Sequence, residues 1–127
     1  MLTDEDWAKV ASADNAILHR LSGDPQDPPN FMGYGITATG TLEDSALISA
    51  LAQAMKSEVE FTTNFWALCF VPRHAISITW DQGTTEFLIC YECGRMKVYH
   101  NFEKVLSTQL HGESKKAFEQ AWLGVGT

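Results

Sequence analysis

Basic side chains are scarce in this chain: nine Lys and Arg stand against sixteen Asp and Glu, a net charge of -7 over 127 residues. Affinity for DNA or RNA is built largely from Lys and Arg neutralising phosphates, so the balance argues against a nucleic-acid surface and for a basic partner. Long apolar runs are missing too. No window approaches the ~20 apolar residues of a membrane span. The stretch Met1-Leu-Thr-Asp-Glu-Asp-Trp7 carries acids where a secretory signal needs a positive segment followed by an apolar one, so a cytoplasmic location is expected. Cysteine is limited to three residues. An odd number in a reducing compartment predicts free thiols or metal ligands rather than a disulfide framework. Internal repeats and low-complexity runs are absent, and no complete catalytic signature is present.

A hydrophobic content of 45% suits one compact α+β domain over residues 1–127, long enough to bury about two-thirds of its unfolded surface. Thr3 and Asp6 fit a capping box, and Trp7, Val10, Ala11, Ile17, Leu18 and Leu21 recur at helical spacing, which predicts a first helix over about residues 4–21. Residues 22–30, with three prolines, read as a rigid loop. Residues 31–39 carry weak strand character, interrupted by Gly33 and Gly35. Thr41 and Asp44 resemble a second capping box ahead of the stripe Leu47, Ile48, Leu51 and Met55, predicting a helix that ends near Ser57.

The period then changes from helical to two-residue. Trp66, Leu68 and Phe70 alternate with Ala67, Cys69 and Val71, and Ile76, Ile78 and Trp80 alternate with Ser77 and Thr79. Residues 85–92 are apolar on both faces, and Met96 and Val98 alternate with Lys97 and Tyr99 over 95–100. Residues 113–123 close the chain as a helix, ended by Gly124 and Gly126. The expected architecture is an antiparallel meander sheet of four to five strands packed by two or three helices.

Chemistry concentrates between residues 69 and 93. Cys90 and Cys93, spaced Cys-x2-Cys before Gly94, could place two thiolates on one turn, and Cys69 and His74 could complete a tetrahedral Cys3His zinc set. The competing reading makes the cysteines core residues, because free cysteine behaves as a small buried hydrophobe. With no carboxylate in sequence to orient His74 or His100, a thiol nucleophile lacks its third group, and the chain reads as non-enzymatic with no required cofactor. Asp81, Glu86, Glu92 and Arg73 are the candidate partner contacts. Arg73 could also bridge to Glu92 across the hairpin.

The run Cys-Phe-x-Pro-Arg-His-x-Ile, a turn, then Leu-Ile-Cys-Tyr-Glu-Cys, with Gly35-Ile and Leu42-Glu-Asp44 upstream, resembles a group of small, largely uncharacterised bacterial proteins over about residues 31–100. The resemblance implies a bacterial source and a joint importance of Cys69, Pro72, Arg73, His74, Cys90 and Cys93. By analogy of class alone, a small acidic protein of this kind is expected to act as an immunity protein that neutralises a basic toxin or effector domain.

Overall fold

The structure, a computed structural model, describes residues 2–60 and 70–125. Three helices, α1 (Asp4–Ala11), α2 (Ser45–Glu60) and α3 (Ser114–Leu123), accompany seven strands: β1 (Ala16–Pro25), β2 (Asn30–Phe31), β3 (Tyr34–Leu42), β4 (His74–Trp80), β5 (Gly83–Cys90), β6 (Arg95–His100) and β7 (Glu103–Gln109). The strands form one curled antiparallel sheet in the order β2-β3-β1-β4-β5-β6-β7. The class is the expected α+β, with seven strands rather than four or five.

The first difference lies in helix one. The Thr3–Asp6 capping box forms, with both reciprocal bonds in place, but the helix stops at Ala11. Ser12 turns its hydroxyl back onto the carbonyls of Ala8 and Lys9, and Asp14 and Asn15 follow, residues that compete with the helix for backbone bonds. Ile17, Leu18 and Leu21 therefore belong to β1, where Leu18 and Leu21 are buried and Ile17 is exposed. Thr41 lies in β3, and Asp44 caps α2 by accepting from the amides of Ala46 and Leu47.

The weak strand around residue 31 is a hairpin. Met32 and Gly33 both take positive φ, 52° and 93°, the geometry a two-residue turn needs to follow the right-handed twist of its strands. The expected strand at residues 66–71 falls mostly outside the described residues, since Trp66 to Cys69 are not among them, and Phe70 and Val71 lie outside any strand. The fourth strand of the meander is β7, whose stretch Glu-Lys-Val-Leu-Ser-Thr-Gln alternates too weakly to stand out.

Side-chain alternation gives the sheet two apolar faces. Leu18, Ile76, Ile78, Phe87, Ile89, Met96 and Val98 pack under the helices with Trp7, Val10, Ile48, Leu51, Met55 and Phe118. Leu21, Phe31, Ala75 and Leu88 form a second cluster, joined by Tyr34, Ile36, Phe70 and Tyr99. Strict two-residue alternation puts this second cluster on the opposite face.

One charge sits in the main core. Glu58 continues the stripe Ile48, Leu51 and Met55 on α2 and is fully buried. Its carboxylate accepts from the amide of Ser114 at 3.1 Å, the Ser114 hydroxyl at 2.6 Å and the amide of His111 at 2.9 Å. His111 also brings Nε2 to 3.3 Å. The Ser114 hydroxyl further contacts the Tyr91 hydroxyl at 2.8 Å. Glu58 thus ties α2 to the first turn of α3, where free backbone amides favour an anion, and the network reaches the β5–β6 turn. Glu58→Ala leaves buried donors unpaired and is expected to cost about 3 kcal/mol. Chemical denaturation checks this: a loss under about 1 kcal/mol would mean the carboxylate is not a tether.

Candidate functional site

The Cys–His centre is divided by the sheet. His74 pairs with Ile89 across β4 and β5, and its ring packs edge-on against Phe118 of α3, at 4.8 Å, and Tyr91, at 5.2 Å. Cys90 follows Ile89, so alternation turns it to the opposite face. Cys90 and Cys93 are joined to each other in a disulfide, which differs from the expected free thiols. A bonded pair brackets the β5–β6 turn, and in this state neither sulfur is a thiolate. Cys69, the remaining expected ligand, lies outside the described residues. Among the described residues no group of three or more His, Cys, Asp or Glu is placed to hold a metal ion.

The surroundings of His74 supply a carboxylate that the sequence did not reveal. Arg20 of β1 forms a two-pronged ion pair with Glu119 of α3, at 2.7 and 3.3 Å, and its guanidinium lies 4.6 Å from the centre of the Trp122 ring. Glu119 also approaches His74 Nε2 at 3.6 Å. Burial holds the imidazole below the usual histidine range, although Glu119 pulls the other way. With Nε2 facing the carboxylate, the buried Nδ1, which has no partner among the described residues, is the acceptor nitrogen. This group locks α3 onto β1 and β4. Glu119 is ordered by Arg20, and among the described residues no Ser or Cys side chain is hydrogen-bonded to His74.

Two other titratable groups are built in. His19, also lowered by burial, is 2.8 Å from the Thr39 hydroxyl and packs on Phe31. Glu86 is fully buried in β5. One of its oxygens accepts from the amide of Phe102 at 2.7 Å and the other has no partner among the described residues. Desolvation raises this carboxyl. Of the four candidate partner contacts, Asp81, Glu92 and Arg73 are exposed, whereas Glu86 offers no charge to solvent. No ion pair joins Arg73 to Glu92 among the described residues. Instead the Arg73 backbone bridges β1 and β5 through Leu21 and Ile89.

The fold sorts charge more sharply than the composition does. Twelve of the sixteen acids are exposed, against four of the nine Lys and Arg. Strand register gathers many of these acids at one end of the sheet. Ala16 pairs with both Leu42 and Ile78, Trp80 with Gly83, and His100 with Glu103. Asp14, Glu43, Asp44, Asp81 and Glu103 therefore sit at the same end. The start of α1, with Asp4, Glu5 and Asp6, joins them, because Leu2 and Asp6 line a depression of about 240 Å³ with Trp80, Gln82, His100 and Val105. At the same end of the sheet Asp14, Asn15, Thr41, Glu43 and Ser45 line an open hollow of about 520 Å³. Lys9 and Lys56 are paired with Glu5 and Asp4, and Lys104 adds a base near Glu103. The surface is acidic, polar and edged by Trp80.

No protein-family model matches the chain, and no curated protein and no solved structure matches it. No described helix is long and apolar enough to cross a membrane.

The buried groups set a pH response whose sign follows from their shifts. His74 and His19 bind protons more weakly folded than unfolded. Stability therefore falls as pH drops through the ordinary histidine value near 6.5. Glu86 acts oppositely: its folded carboxyl holds a proton that the unfolded one releases, so its contribution weakens as pH rises above 4.5. Glu86→Gln is expected to stabilise the fold at pH 7 by roughly 1 kcal/mol and to lose that advantage near pH 4. Urea unfolding at both pH values tests this, and an equal effect at the two would exclude burial of the charge as the cause.

Proposed function

We propose that this chain is a non-catalytic binding protein whose acidic sheet end covers a basic surface on another protein, as an immunity protein covers a toxin or effector domain. The observation that carries the reading is the segregation of charge. Exposed acids outnumber exposed bases by twelve to four, and strand register together with the start of α1 gathers seven of the twelve, Asp4, Glu5, Asp14, Glu43, Asp44, Asp81 and Glu103, at one end. A one-signed surface of this kind accelerates encounter with a basic partner and makes association sensitive to salt. Trp80 at its margin supplies the sort of aromatic side chain that anchors interfaces. The histidines and buried carboxyls nearest to catalytic chemistry are held in structural contacts: Glu58 by α3, Glu86 by the β6–β7 turn, and His74 between Phe118 and Tyr91. The neutralising role is an analogy of class.

The triple variant Asp14→Lys, Glu43→Lys, Asp81→Lys leaves the core untouched and reverses the charge of this end. Capture from cells of the source at low salt is expected to return one basic partner in stoichiometric amount. The variant should associate with it at least about tenfold more slowly, and the difference should shrink as salt rises. Addition of the chain should abolish the partner's activity. Association unaffected by both salt and charge reversal would remove the basis of the reading.

A further inference from the structure

The two outer strands of the described sheet are treated differently. β7 begins with Glu103 and Lys104, charges that discourage a foreign strand from pairing. On the other side, β2 covers β3 only at Tyr34 and Gly35, and Ile36 is taken by a bond to the Pro29 carbonyl. From Thr37 to Leu42 the outer edge of β3 has no strand beside it among the described residues. This stretch, Thr-Ala-Thr-Gly-Thr-Leu, has no charge and no proline, in a chain of which 20% is charged. Because it pairs continuously with β1 from Ala38 to Leu42, its backbone is already extended, and alternate N–H and C=O groups point outward.

We infer that this edge pairs antiparallel with the same edge of a second copy of the chain, joining two sheets across a two-fold axis at Thr39. The sequence is close to a palindrome about that residue. Thr37 falls opposite Thr41 of the other copy and Ala38 opposite Gly40, so no charge meets a like charge, and β-branched Thr faces Thr, a favourable cross-strand pair. A two-fold contact requires such self-complementarity, and the neutrality of the edge keeps like charges from facing each other across it, so that only the longer-range repulsion between two chains of net charge -7 opposes the pairing. The end of α3 adds apolar surface. Val125 lies over Gly40 and Gly124 beside Leu42, while the adjacent Leu123 is 87% exposed. The acidic end and this edge meet at Thr41, which leaves most of the former open in each copy.

Sedimentation velocity between about 5 and 500 μM is expected to show a reversible monomer–dimer equilibrium that strengthens with added NaCl, since salt screens the net repulsion. Thr39→Lys places two lysines face to face and should raise the dimer dissociation constant roughly tenfold or more. Thr39→Val should leave it within about threefold, and Thr37→Lys serves as a second charged edge variant. Hydrogen exchange should show amides within residues 37–41 slowing as concentration rises. A monomer throughout this range would overturn the inference, as would a dimer indifferent to both lysine substitutions. So would edge amides protected only when another protein's strand is added.

Discussion

Glu58 is the constraint on which the helical layer depends. A carboxylate removed from water needs its lone pairs filled, and the donors that fill them come from the loop and first turn leading into α3. That requirement fixes where α3 begins. Once its start is set, Phe118 reaches His74, Glu119 reaches Arg20, and Trp122 covers the Arg20 guanidinium. The covering of β1 and β4 by α3 is thus positioned by one buried charge on α2. Apolar packing supplies most of the stabilisation, but it is not directional, and Glu58 determines which turn of α3 meets which strand.

Charge then divides the molecule by position along the strands. At the Arg20–His74 end Arg20 neutralises Glu119, and the exposed acids Asp24, Asp27, Glu60, Glu92 and Glu113 are accompanied by exposed Arg73, Lys115 and Lys116. At the opposite end the acids lie in turns and at a helix start, and among the described residues no ion pair holds Asp14, Glu43, Asp44, Asp81 or Glu103. Helix-dipole stabilisation accounts for Asp4, Glu5 and Asp6 near the start of α1 and Asp44 as the cap of α2. It does not account for Asp14, Asp81 or Glu103, which come to the same place only through strand register.

What could be read from the sequence divides along the same physical line. Local signals gave the capping box at Thr3, the α2 stripe, the β4 to β6 alternation and the limits of α3, because each depends on neighbours within a few residues. The error in helix one arose because Ile17, Leu18 and Leu21 continue the helical spacing of Trp7, Val10 and Ala11 and show no two-residue alternation; only Ser12, Asp14 and Asn15 marked the break. Zinc ligation by Cys69, His74, Cys90 and Cys93 rested on spacing, which carries no information about which side of a sheet a residue takes until the strand limits are known. Glu58 was legible in principle, as an acid at a position of the α2 stripe where a leucine would be expected. The Arg20–Glu119–His74 group was not, since it joins three elements far apart in sequence. The charge balance was visible from composition, but its collection at one end was not.

The centre of the sheet has a further consequence. β1 lies between β3 and β4, so residue 16 must find residue 78, whereas β1 with β3, and β4 through β7, join partners close along the chain. The seam between the halves carries the longest loop-closure cost, and topologies rich in such distant contacts fold slowly. Asp14 and Glu43 belong to one half, Asp81 and Glu103 to the other. The acidic surface therefore exists only once the seam has closed, and a partly folded chain presents two weak fragments of it in place of one strong field.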